Sequence, residues 1–221
     1  MKRLAIYGTG GFAREVLELV RDVNEIEPTF EAIGWLDDDT SKIGQTIKGL
    51  PVLGPIEDAS GKLSTFEVVI AIGNTVARSR IAARLDRLGI ASPVLVDPRA
   101  RVGRDITIGD GSIVCAGSLL TTDIHLGRHV ILNLSVTVGH DAGLADYVTL
   151  APTVNVSGNV RIAEGCDIGT GCATVQGVSI GEWSIVGAGA VVARDLPANV
   201  TAVGVPAKVI KERPAGWQFE V

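Results

Sequence analysis

Residues 126–150 read LGRHVILNLSVTVGHDAGLADYVTL. A branched aliphatic residue stands at every sixth place, Leu126, Leu132, Val138, Leu144 and Leu150, and a small or apolar residue follows four places after each, as at Val130, Val136, Ala142 and Val148. The same step runs without an insertion from Val96 to Val192, and only Thr174 departs from Val, Ile or Leu. A helix repeats its apolar face every 3.6 residues and a half-buried strand every two. A period of six held this long fits a solenoid of short strands with a turn after each, the hexapeptide β-helix. Three hexapeptides close one triangular coil, so residues 18 apart stack at about 4.8 Å, the spacing of paired strands. The aliphatic and small places point inward. Gly often follows the aliphatic (Gly103, Gly109, Gly127, Gly139, Gly169, Gly181, Gly187) and is expected to relax the backbone at the corners.

The bulk composition agrees. Of 221 residues 46% are apolar but only 4% aromatic, which suits a narrow core of branched aliphatics. The net charge of −5 argues against a general nucleic-acid or membrane-surface role. No apolar run is long enough to span a bilayer, and Met1-Lys2-Arg3 leads straight into a strand without a cleavage site, so the expected location is the cytoplasm. Cys166 and Cys172 occupy successive inward small places and Cys115 a corner, so all three read as structural rather than as disulfide or metal ligands.

Upstream of the repeats the pattern changes. Residues 2–7 read as a buried strand, Gly8-Thr9-Gly10-Gly11-Phe12-Ala13 as a Gly-rich turn, and Arg14 to about Asn24 as an amphipathic helix. This order offers backbone N–H groups and a helix N-terminus to a phosphate. A second strand at about Phe30–Leu36 ends in Asp37-Asp38-Asp39, where ribose-binding acids often stand. Residues 44–54 read as a turn-rich excursion, residues 67–72 as a third strand followed by Gly73-Asn74 and a helix to Leu88, and residues 92–96 as a short link. Strands alternating with helices imply a small parallel, Rossmann-like sheet over residues 1–93, with ligand loops after Tyr7, Leu36 and Ile72; residues 94–221 hold the β-helix and a tail that packs along its side. Gly10, Gly11, Phe12, Asp37, Asp38, Gly73 and Asn74 are the candidate substrate-binding residues.

The Gly-rich start, the Asp pair after the second strand, Ala71-Ile72-Gly73-Asn74, the hexapeptide array and the tail Gly204-Val205-Pro206-Ala207-Lys208 together resemble the bacterial sugar O-/N-acetyltransferases of the sialic-acid O-acetyltransferase and nucleotide-linked amino-sugar N-acetyltransferase type. The resemblance covers essentially the whole chain. It implies a left-handed coil, a homotrimer, acetyl-CoA as cosubstrate in the groove between neighbouring helices, and a sugar nucleotide held by the N-terminal domain.

The histidines His125, His129 and His140 fall at the sixth, fourth and third places of their repeats, off the inward positions and out of stacking register, so they should face solvent or an interface and no metal is expected. His140-Asp141 resembles the family's catalytic histidine followed by an acid. An acceptor amine or hydroxyl must lose a proton as it attacks a thioester, and imidazole titrates near working pH. One coil above His140 stands Gly158, which leaves room for an acyl group. The resemblance also assigns Thr170 and Ala188 to CoA, puts Thr149, with its hydroxyl or backbone, where relatives carry a second histidine near the thioester, and puts Phe12 where some carry a nucleotide-contacting histidine. Lys208, Lys211 and Arg213 form a basic cluster near the C-terminus of an acidic chain, which offers them to the CoA phosphates. N-acetylation of a nucleotide-activated amino sugar leads. O-acetylation of a sialic acid or related sugar stands beside it, as does a non-catalytic trimeric nucleotide-binding scaffold. A dehydrogenase, read from residues 8–13 alone, would leave the solenoid without a role.

Overall fold

In a computed structural model, which describes residues 1–62 and 65–219, an α/β unit leans against a left-handed β-helix. The α/β unit is built from β1 (Lys2–Tyr7), α1 (Gly11–Ile26), β2 (Phe30–Leu36), β3 (Thr46–Ile47), β4 (Leu50–Gly54), α2 (Ile56–Lys62), β5 (Glu67–Ile70) and α3 (Thr75–Leu88). Its sheet order is β3-β4-β2-β1-β5, parallel except for the β3–β4 hairpin. The expected excursion over residues 44–54 is therefore partly sheet. Its Leu50–Gly54 arm pairs with β2, a long-range pairing that local turn residues do not announce. The first helix starts earlier than expected, at Gly11, and buries Ala13, Val16, Leu17 and Val20, the i, i+3, i+4, i+7 stripe of an amphipathic helix.

The solenoid begins at Leu95, within the segment read as a link, and Leu95–Val96 already pairs with Ile113–Val114. Each rung is parallel and 18 residues from the next: Thr137 faces Leu119 and Asn155, and Gly143 faces His125 and Arg161. Three faces result. The first carries Ile113–Val114, Ile131–Leu132, Thr149–Leu150, Asp167–Ile168 and Ile185–Val186; the second carries Thr137–Val138, Asn155–Val156, Ala173–Thr174 and Val191–Val192; the third carries Gly143–Leu144, Arg161–Ile162 and Ser179–Ile180. The inward aliphatics from Val114 upward are buried, each contributing about 1.5–3 kcal/mol of apolar burial. Val102 is 38% exposed because its strand forms the open end of the prism. Thr174 is tolerated among them because its hydroxyl accepts from Ser157 N at 3.0 Å. Cys166 and Cys172 lie in the core with Sγ on the carbonyls of Gly181 and Gly187.

The corners correct one expectation. The strained place is the fourth of each hexapeptide, not the second. Every sixth residue from Asp105 to Gly189 has positive φ, side-chain-bearing residues such as Asp123, Asp141, Asn159 and Trp183 included. The second-place Gly answers instead to close approach: a Cβ on Gly139 would lie 2.6 Å from Gly158 N of the next coil.

A further correction concerns His129, expected at the surface but 1% exposed. The α/β unit covers the first face, where α1 packs on Leu95, Ile113 and Ile131 and α3 covers the next coil. After Val203 the chain turns back as an antiparallel strand, Lys208–Glu212, and a 3-10 turn, Trp217–Phe219, returns to α3, where Arg80 donates to Gln218 O. No helix among the described residues is long and apolar enough to cross a membrane.

Candidate active site

His140 sits at the corner between the second and third faces, carried outward because Asp141, next in sequence, takes the left-handed conformation (φ 58°) that turns the chain. Its Nδ1 lies 2.7 Å from Asp141 Oδ2, with both side chains about half exposed. An ionised carboxylate only accepts, so Nδ1 carries the hydrogen and the lone pair stands on Nε2. Nε2 has no hydrogen-bond partner among the described residues. The ring lies over Gly158, where a Cβ would come within 2.6 Å of Cε1 and Nε2; only glycine leaves the imidazole this position. Arg161 donates to Asp141 O and steadies the corner from the coil above. A groove of about 930 Å³ runs from here along the third face, floored by Gly127, Ala145, Ala163 and Gly181 and edged by Asp123, His125, Arg161 and Asp195. The small floor residues stand at the second place and recur every 18 residues; Gly127 and Gly181 belong to the glycines noted above, and Ala145 and Ala163 complete the stripe.

A second cleft, of about 390 Å³, forms where the loops after β1, β2 and β5 converge. Gly10, Gly11, Phe12, Asp37 and Gly73 line it, together with Lys42, which sequence reasoning missed. Cβ atoms at Gly10 and Gly11 would meet open space, so these backbones are accessible to a ligand. Asp37 Oδ2 accepts from Thr9 Oγ1 at 2.6 Å and from Lys42 Nζ at 2.9 Å. Burial pushes its carboxyl up, but these bonds and that from the Asp39 amide outweigh burial and hold it below the usual carboxylate range. Two expected members stand elsewhere. Asp38 turns away: Tyr7 Oη and both Arg84 Nη atoms hold its carboxylate, in a network shared with Glu57. Asn74 caps α3, its Oδ1 accepting from Ala77 N at 2.8 Å, and faces a neighbouring cavity.

The Thr149 hydroxyl, one of the two groups this residue offers, is already engaged. It donates to Gly73 O at 3.0 Å and accepts from Arg78 Nη2 at 2.7 Å, so its one proton is not free for a thioester. Arg78, fully buried, also donates to the carbonyls of Ile72, Gly73, His129 and Tyr147. It joins the third ligand loop to the solenoid. Thr170 and Ala188 are exposed at the corner between the first and second faces, one corner away from His140, and Lys208 is exposed on the returning strand. One chain therefore does not bring His140 together with Thr149, Thr170, Ala188 or the cleft of the α/β unit. No group of side chains suited to a metal occurs among the described residues.

The PglD N-terminal domain family matches residues 3–85. Over 97% of its length the chain is 30% identical to GDP-perosamine N-acetyltransferase of Escherichia coli O157:H7, of which it covers 99%. Among solved structures it resembles a histidine-to-asparagine variant of perosamine N-acetyltransferase from Caulobacter crescentus in complex with CoA and GDP-perosamine, at TM-score 0.86 and 30% identity over 96% of this chain and 98% of that one. It also resembles the acetyltransferase domain of PglB from Neisseria gonorrhoeae FA1090 in complex with acetyl coenzyme A, at TM-score 0.87 and 36% identity over 95% of this chain and 99% of that one.

Proposed function

The chain belongs to the bacterial sugar acetyltransferases of the hexapeptide-repeat type, and from that premise we propose that it transfers the acetyl group of acetyl-CoA to the amino group of a nucleotide-activated amino sugar. The observation that carries the mechanism is the His140–Asp141 pair, with Nδ1 held at 2.7 Å and Nε2 free above Gly158. The acceptor nitrogen attacks the thioester carbonyl carbon while Nε2 takes its proton. Asp141 stabilises the imidazolium that forms. The tetrahedral intermediate collapses, the C–S bond breaks, and the thiolate of CoA leaves with the proton returned by His140. A positioned base contributes about 10²–10⁴-fold.

The nucleotide lies in the cleft of Gly10, Gly11, Phe12, Asp37, Lys42 and Gly73. Backbone N–H groups and the start of α1 receive the diphosphate. The working unit is a homotrimer, which the separation of these elements on one chain supports: a seam between copies is the way to set His140 of one beside the cleft, Thr170, Ala188 and Lys208 of another. Three unpaired cysteines suit a reducing compartment, the cytoplasm.

The test is release of free thiol from acetyl-CoA with a panel of UDP-, GDP- and dTDP-linked amino sugars, for the wild type and His140→Ala. Turnover with an amino sugar, lost about 10²–10⁴-fold in the variant, is expected. Near-full turnover by the variant at saturating substrates would remove the base. Acetylation only of free sugars at a hydroxyl would replace the acceptor class, and nucleotide binding without acetyl-CoA binding would leave only a scaffold.

A further inference from the structure

A third cavity, of about 250 Å³, lies between the start of α3, the upper coils of the first face and the C-terminal 3-10 turn; Asn74, Arg80, Asp167, Trp183, Trp217 and Gln218 are among its walls. The fold leaves polar groups here without partners. Gln218 is only 7% exposed, yet among the described residues its Oε1 accepts no hydrogen bond and the buried Trp217 Nε1 finds no acceptor. The Asp167 side chain makes no hydrogen bond among the described residues, and burial raises its carboxyl above the usual range against the pull of Arg78. Buried polar groups in folded proteins are almost always paired, so these two orphans on residues lining one cavity, with the Asp167 carboxyl beside them, point to a ligand that pairs them. Trp183 is fixed in place: its ring packs over Gly165, where a Cβ would lie 2.2 Å away.

Size and position narrow the ligand. About 250 Å³ is the volume of roughly eight waters at ~30 Å³ each, enough for a hexose ring and too little for a nucleotide. Gly73 lines the nucleotide cleft and the next residue, Asn74, lines this cavity, so the two are separated by a single turn of chain. Between them α3 begins. Asn74 caps Ala77 N–H there, so the two sites meet at the start of this helix.

We propose that this cavity seats the sugar ring of the acceptor, with Trp183 and Trp217 packing against the ring and Asp167 and Gln218 accepting hydrogen bonds from its hydroxyl groups. The inference rests on the reading of the acceptor as a nucleotide-activated amino sugar. It makes the C-terminal turn a specificity element, because Gln218 reaches the site from 138 residues beyond the Arg80 to which its backbone is bonded. The amine itself is left for the base.

Calorimetric titration of the wild type, Gln218→Ala, Gln218→Asn and Asp167→Asn tests it, using three pairs: GDP-perosamine against GDP, and UDP- and dTDP-linked 4-amino-4,6-dideoxyhexoses against UDP and dTDP. The wild type should bind one sugar nucleotide more tightly than its nucleoside diphosphate. The Gln218 variants should lose about three- to tenfold of that affinity and Asp167→Asn about tenfold or more, with the nucleoside diphosphate bound within twofold of wild type. Unchanged sugar-nucleotide affinity in the variants, or equal weakening of both members of a pair, overturns the proposal. If the wild type gains nothing from the sugar, the cavity alone is refuted. If it binds neither member of any pair, the functional reading falls and the cavity falls with it.

Discussion

Gly158→Ala isolates the geometry of the base. The added methyl would lie 2.6 Å from His140 Cε1 and Nε2 and 3.0 Å from Cδ2. Non-bonded carbons rest at about 3.5–4.0 Å, so the ring must move by about 1 Å or swing toward solvent. Either motion shifts Nε2 and strains the 2.7 Å contact between Nδ1 and Asp141. A misplacement of about 1 Å can cost on the order of 10²-fold in rate. The fold should barely notice. Gly158 is not among the positive-φ residues, so alanine meets no backbone penalty there, and the half-exposed imidazole can relocate without opening the core. The assay is steady-state thiol release with both substrates varied, beside a thermal melt. We expect kcat to fall about 10²-fold with the melting temperature within about 2 °C of wild type. A kcat within threefold of wild type would refute the claim that the imidazole works from its position over Gly158.

Two further outcomes follow from the junction between the α/β unit and the solenoid. Arg78→Met keeps the volume but leaves the carbonyls of Ile72, His129 and Tyr147 and the Thr149 oxygen without a donor, while Gly73 O keeps only the Thr149 hydroxyl. Breaking a buried charged network of this kind costs about 3–5 kcal/mol, on the order of 10 °C in melting temperature for a chain of this size, read by scanning calorimetry; a loss under 1 kcal/mol would show that the network does not hold the junction. His129 gives a pH dependence. Burial, helped by Arg128 and Arg78, pushes its imidazole down to about 4. The unfolded chain binds this proton below about 6.5 and the folded chain does not until about 4, so stability falls as pH drops through that window. The loss is about 3 kcal/mol over the full window, at roughly 1.4 kcal/mol per unit. Urea melts at pH 7 and 4.5 should show it for the wild type and a shallower fall for His129→Asn; equal slopes would rule His129 out.

The repeat was legible because strand geometry writes it into the chain. Six residues make a strand and a corner, three such units close a coil, and Val138, Leu144 and Leu150 must then face the axis. Counting 18 places Gly158 over His140, and the neighbouring Asp141 needs no tertiary contact to reach the imidazole. The loops that carry Gly10, Gly11, Asp37 and Gly73 were readable for a similar reason, since successive parallel strands end on one edge. A sign of the covered face was present and unread: Leu95, Ile113 and Ile131 are apolar at an outward place, 18 residues apart.

What the sequence could not decide was how the two units dock. An arginine within an amphipathic helix looks like a solvated residue, and Arg78 is buried because the carbonyls of His129 and Tyr147 arrive from the solenoid. The same docking buries His129, closes the Thr149 hydroxyl onto Gly73 and sets Gln218 beside Asn74 and Asp167. Local spacing follows from the covalent chain and the pitch of a strand; contacts between residues tens of positions apart follow from which surfaces exclude water together, and that is fixed only when the units meet.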